Sequence, residues 1–186
     1  MQLIQTQVID NVLPQSYADE LEQFVLESIN FDWYFIPDIA HTKTPEFNTL
    51  KEEDKKPGFT HSLLMDNQES RFFNLFKIIP HLAIQKSIDP RYNYYYMKAR
   101  AFFQLPSIGI QHNNIHIDAV TPHIVCLYYV NDSDGDTSLF DNDRKTVIQS
   151  ITPKKNRVVL FDGSIPHSSG YPQKSKRCVI NFNLIK

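Results

Sequence analysis

Residues 123–162, HIVCLYYVNDSDGDTSLFDNDRKTVIQSITPKKNRVVLFD, decide the fold. Four short apolar runs, HIVCLYYVN, TSLFD, TVIQSI and RVVLFD, are punctuated by NDSDGD, DNDRK and TPKKN. β-Branched and aromatic runs bounded by Asn, Asp, Gly and Pro clusters read as strands joined by turns. The pattern continues on both sides. Upstream lie NYYYMKARAFF and IHID, and downstream RCVINFNLI follows the turn PQKSK. Seven or so strands therefore succeed one another after Pro90, and both helical patterns precede it. The first, LPQSYADELEQFVLES, sets Tyr17, Leu21, Phe24, Val25 and Ser28 at helical spacing. The second covers residues 67–88, with Phe72, Phe73, Leu75, Phe76, Ile79, Leu82 and Ala83 on its apolar face. Pro80 is expected to kink or divide it. FDWYFIP reads as a short strand ending at Pro37. Helices first and strands afterwards indicate α+β with a sandwich or barrel core, the helices covering one outer face. Residues 38–58, polar and proline-marked, read either as a surface loop or as a lid over a site.

At 186 residues the chain has the length of one domain, with residues 1–90 as supporting helices and lid loop and 91–186 as the core. Nineteen basic against 21 acidic residues give a net charge of −2, where a binder of duplex nucleic acid would carry a basic excess. Thirteen Phe and nine Tyr argue for a packed core. No apolar run approaches the ~18–20 residues that span a bilayer, and MQLIQTQVIDNVL does not read as a secretory signal. Cys126 and Cys178, each inside a strand-like stretch, read as buried reduced thiols in a cytoplasmic protein. Without a Cys-x-x-Cys pair, thiolate zinc and thioredoxin-type chemistry are excluded.

The chemistry lies in the histidines. In Ile115-His116-Ile117-Asp118 a strand would point His116 and Asp118 to one face, where an imidazole and a carboxylate can grip adjacent positions on a metal. Seven His and 21 acids make roughly 0.8 such pairs expected by chance, so the fragment needs context. The context is RVVLFDGSIPHSSGYP, where a buried strand runs into a turn and His167. Two histidines and one carboxylate leave coordination positions open, the facial arrangement of non-haem Fe(II) oxygenases. Ten residues further, Arg177 opens the last strand, facing inward with Val179 and Asn181. Its guanidinium suits bidentate capture of a carboxylate.

His-x-Asp, a distal His and an Arg ten residues after it resemble the Fe(II)/2-oxoglutarate-dependent dioxygenases. LYYVNDSDGDTSLFD and ITPKKNRVVLFDGSIPHSS are similar to segments of the prolyl 4-hydroxylase-like branch. The resemblance covers residues 92–186. It implies a double-stranded β-helix (jelly-roll) core with N-terminal supporting helices. It further implies Fe(II) on His116, Asp118 and His167, and 2-oxoglutarate chelating the iron with its 5-carboxylate on Arg177. Dioxygen then hydroxylates a substrate C–H bond as 2-oxoglutarate is cleaved to succinate and carbon dioxide. The acid at position 118 accords with hydroxylation; related halogenases lack it. Two departures stand out. The branch's Gly-Gly before Thr is Asp134-Gly135-Asp136-Thr137 here, and the tyrosine often found before His-x-Asp is absent from AFFQLPSIG. Tyr129 resembles the branch's inward tyrosine and is the candidate second contact for the cosubstrate.

Two other readings use the same residues. His, Asp and His can hold catalytic zinc in a hydrolase, and a jelly roll can persist as a binding module without turnover. His123 reads as a core or supporting residue, His112 as solvated, and His41, His61 and His81 have no partner pattern. RYNYYYMKAR could stack nucleic-acid bases, but alternating strand faces explain it more simply. A peptide, a protein side chain or a small molecule all fit as substrate.

Overall fold

In the computed structural model, residues 5–39, 56–87, 93–109 and 112–186 are described. The N-terminal segment supplies β1 (Gln7–Ile9), α1 (Gln15–Glu27), β2 (Tyr34–Ile36), β3 (Gly58–Met65), β4 (Gln68–Glu69), α2 (Phe73–Phe76) and α3 (Ile78–Ser87). Seven strands follow: β5 (Tyr95–Gln104), β6 (Ile124–Tyr129), β7 (Thr137–Phe140), β8 (Val147–Ile151), β9 (Arg157–Asp162), β10 (His167–Ser169) and β11 (Arg177–Ile185). The larger sheet runs β1-β9-β6-β11-β5-β3-β2, with β4 attached to β3, and the smaller runs β10-β7-β8. Every pairing in both is antiparallel. Two facing sheets of this kind form the double-stranded β-helix of an α+β protein.

Strand alternation sorts the side chains into two cores. On β6, Ile124, Cys126 and Tyr128 join Val158 and Leu160 of β9 and Ile180, Phe182 and Leu184 of β11 beneath the helices. Leu21 and Val25 of α1, Phe73 and Phe76 of α2, and Ile79 and Ala83 of α3 complete that core. The alternate residues Val125, Leu127, Tyr129, Val159, Phe161 and Val179 face the small sheet, meeting Leu139 and Ile151. The helices thus cover one outer face, as the sequence pattern indicates. Cys126 and Cys178 are free and buried.

Several local expectations are corrected. Residues 67–88 are not one helical region: β4 precedes two short helices, and the break falls at Lys77, not at Pro80. Pro80 sits in the first turn of α3, where no intrahelical donor is lost. GFTHSLLM, unassigned from sequence, is the full strand β3, and QVI is the edge strand β1. Most of the 38–58 segment, together with His41 and Tyr92, lies outside the described residues. Among the described residues no helix is long and apolar enough to cross a membrane.

Candidate active site

A cavity of about 540 Å³, counted out to where it opens on solvent, lies on the face of the large sheet turned toward the small one. Its wall includes His116, Asp118, His167, Arg177, Arg100 and Asn181. The two histidines arrive by different routes. His167 heads β10, in register with Leu139 of β7, just after a turn in which Ile165 N–H donates to Asp162 O. His116 does not lie in a strand, contrary to the expectation for IHID. Its backbone exchanges two hydrogen bonds with His167, N–H to O at 3.0 Å and the reverse at 2.9 Å, forming an isolated bridge. The segment breaks away at once, so strand alternation is not what brings Asp118 beside His116. The carboxylate is held instead by β11: Asn181 Nδ2 and Asn183 Nδ2 both donate to Asp118 Oδ2, at 2.9 and 2.8 Å. Lys98 Nζ on β5 donates to the Asp118 carbonyl at 2.8 Å.

The result is a His-Asp-His facial triad, with ligand atoms of all three residues within 4.8 Å of one another. His116 Nε2 stands 3.9 Å from Asp118 Oδ1, and His167 Nε2 stands 3.9 Å from Oδ2. Both rings place Nδ1 against a carbonyl, that of Asn114 at 2.9 Å and that of Ile165 at 3.0 Å. A carbonyl can only accept, so the proton sits on Nδ1 and the Nε2 lone pair faces the cavity. Burial, reinforced by His167, pushes the His116 imidazole down to about 4, which keeps it neutral and ligating near neutral pH. Burial alone would raise the Asp118 carboxyl; His167, His116, Lys98 and Asn181 together outweigh it and hold it well below the ordinary carboxylate range. Two imidazoles presenting Nε2 and an anionic oxygen suit a ferrous ion.

Across the cavity, Arg177 is 2% exposed and has no carboxylate partner among the described residues. Its Nε donates to Gly135 O at 2.8 Å, Nη1 to Gln104 Oε1 at 3.0 Å and Nη2 to Thr137 Oγ1 at 2.8 Å. Each terminal nitrogen keeps one further N–H. Gly135 must be glycine for this approach, because a Cβ there would lie 2.6 Å from Gly170 O and 3.1 Å from Arg177 Cδ. Asn131 fixes the strand start: its Oδ1 accepts Cys178 N–H and its Nδ2 donates to Lys176 O, both at 2.8 Å. Tyr129 is buried in the inner core and does not line the cavity; its hydroxyl donates to Thr137 Oγ1 at 2.8 Å. Thr137 thus accepts twice, leaving its own proton for another acceptor.

Gln104, Thr137 and Asn183 were not singled out from sequence. Same-face spacing from Arg177 along β11 would have found Asn183. Gln104 pairs with Arg177 across β5 and β11, a register no sequence pattern prints. His123 is buried with its ring over Gly163, and His61 packs among Phe31 and Phe72, so both are structural.

The profile of the 2OG-Fe(II) oxygenase superfamily matches residues 103–185, which hold the triad and Arg177. The matched segment carries the superfamily's signature. Its chemistry is Fe(II)- and 2-oxoglutarate-dependent oxygenation. No curated protein sequence matches. Solved structures show the superfamily fold over nearly the whole chain. An oxidoreductase of the 2OG-Fe(II) oxygenase family from Burkholderia pseudomallei aligns with a TM-score of 0.68 at 10% identity, covering 96% of this chain and 84% of its own. A Trichoplax adhaerens prolyl hydroxylase in complex with a hypoxia inducible factor peptide fragment gives 0.64 at 19%, covering 97% and 83%. A Pseudomonas putida prolyl-4-hydroxylase gives 0.57 at 13%, covering 97% and 92%.

Proposed function

We propose that this protein hydroxylates a C–H bond of a prolyl residue, with His116, Asp118 and His167 holding the iron and Arg177 holding 2-oxoglutarate. The observation that carries the reading is one cavity with a two-imidazole, anionic-Asp donor set on one wall and a buried, carboxylate-free guanidinium on another. A buried cation without an anion is costly, and the 5-carboxylate of 2-oxoglutarate is the partner that relieves it. Asp118 Oδ2 is taken up by two amides, which leaves Oδ1 as the metal ligand. Thr137 offers its proton to the same carboxylate as Arg177, and Tyr129 acts there only through Thr137. When bound, iron and 2-oxoglutarate supply the oxidant for an aliphatic C–H bond. The chain's own part is to fix three ligands, leave the remaining positions open and line the space with Val125, Leu127, Phe161 and Val179, which exclude water. Prolyl hydroxylases of the same fold support a prolyl substrate. Two free, buried thiols are consistent with the cytoplasm.

The test starts with anaerobic Fe(II) and 2-oxoglutarate, which should together produce a visible charge-transfer band. Oxygen and prolyl peptides should then give succinate and a peptide heavier by one oxygen. Arg177→Lys should raise the KM for 2-oxoglutarate far more than it weakens iron binding. Peptide-independent, 2-oxoglutarate-independent behaviour throughout would defeat the reading.

A further inference from the structure

The cavity carries a second guanidinium that the reading above does not use. β5 turns Arg100, Phe102 and Gln104 into the cavity. Gln104 Oε1 accepts from Arg177. Arg100 stands opposite Asn181 in the β5–β11 register, next to the amide that holds Asp118. Its guanidinium lies 4.8 Å over the Phe102 ring. It makes no hydrogen bond and no ion pair to any described residue. Burial lowers its pKa, with Asp118 acting in the opposite direction, yet a guanidinium stays charged. A largely desolvated cation with five idle N–H donors is an unusual thing to keep on a cavity wall.

The charges around it point one way. Among the lining residues, the charged groups are Asp118, Arg177 and Arg100. A ferrous ion and 2-oxoglutarate cancel each other in formal charge, and Arg177 is matched by the 5-carboxylate and Asp118 by the metal. Arg100 is the charge left over. We infer that Arg100 binds a carboxylate of the primary substrate and so fixes which C–H faces the metal. The inference rests on the cavity being the oxygenase site proposed above, and narrows its substrate to one bearing an anionic group. A planar fork already stacked on an aromatic ring fits a carboxylate edge-on. A phosphate would bring a second negative charge, for which the described wall holds no further cation once Arg177 is matched. The carboxylate can belong to a free amino acid or to the end of a peptide.

The experiment uses the full chain carrying Zn(II) in place of iron, with saturating 2-oxoglutarate occupying Arg177. Binding of isobutyrate and of isobutyramide is followed by saturation-transfer NMR. The carboxylate should bind at least about tenfold more tightly than the neutral amide, the range expected for a charge-assisted hydrogen bond. Arg100→Gln should reduce isobutyrate to the level of the amide, and Arg100→Lys should retain part of the preference. Calorimetric affinity for 2-oxoglutarate should stay within about twofold in both variants, which also reports that they fold. Equal binding of the two probes, binding of neither, or isobutyrate binding indifferent to Arg100→Gln would overturn the inference. So would a parallel loss of 2-oxoglutarate, which would put Arg100 in the cosubstrate site. If 2-oxoglutarate fails to bind while isobutyrate still depends on Arg100, the carboxylate site stands and the oxygenase reading falls. Glycine and N-acetylglycine, compared in the same way, assign the group to a free amino acid or to a chain end.

Discussion

β11 presents two faces that obey different rules. Cys178, Ile180, Phe182 and Leu184 point under the helices, where partners are chosen for volume and lack of polarity. Arg177, Val179, Asn181 and Asn183 point the other way, and each polar member has a specific partner: Thr137 and Gln104 for the arginine, Asp118 for both asparagines. A single strand thus sets the fold with one row of side chains and aims the chemistry with the next. The lesson is that substitutions on the two rows should separate stability from ligand binding.

The sharpest separation comes from Asp118→Ala. It should abolish turnover and lower metal affinity by orders of magnitude, because a triad reduced to two imidazoles loses its only anionic ligand; metal titration of the purified protein checks this. Phe182→Ala, one face away, should cost about 3–5 kcal/mol in denaturant unfolding while iron and 2-oxoglutarate affinities in the folded protein hold. If the two substitutions give the same phenotype, the two-face description fails. The pH response is next. His116 is held at about 4, below its ordinary 6.5. Between those values the unfolded chain takes a proton that the native one refuses. The chelator-treated protein should therefore lose stability, on the order of 3 kcal/mol, as pH falls from 6.5 to 4. His116→Asn should flatten that limb in thermal melts. Asn181→Leu should weaken metal binding about 10–100-fold, the range for partners that orient a ligand. Tyr129→Phe should have the least effect, a loss of about threefold to tenfold in 2-oxoglutarate affinity through Thr137. An unchanged value would remove Tyr129 from the cosubstrate's surroundings.

Much of this was legible in the chain. β6, β7, β8, β9 and β11 were each marked by an apolar run and a turn, and α1 by its periodicity. Four strands escaped for physical reasons; β4 is only two residues, formed by pairing back on β3. β10 is His-Ser-Ser, which has no strand propensity and exists because β7 offers it a ladder. β1 is only three residues long, and β3 mixes Gly, Thr, His and Ser among its apolar positions. The triad was legible because its residue types are scarce and ordered. Its geometry was not: the reason given for joining His116 to Asp118, a shared strand face, is not the reason they meet. Contacts across strands, such as Gln104 with Arg177 or Asn183 with Asp118, depend on register, which the sequence pattern leaves open.

The pair of main-chain hydrogen bonds between His116 and His167 also bears on how the centre is loaded. In small zinc modules the ion assembles its own ligands, so that loading and folding are one event. Here the peptide groups of the two ring-bearing residues already grip each other, and amides on a neighbouring strand steady the acid. Stripping the ion should consequently leave an intact scaffold that can be refilled without refolding, so exchange of one divalent ion for another becomes a matter of supply and affinity.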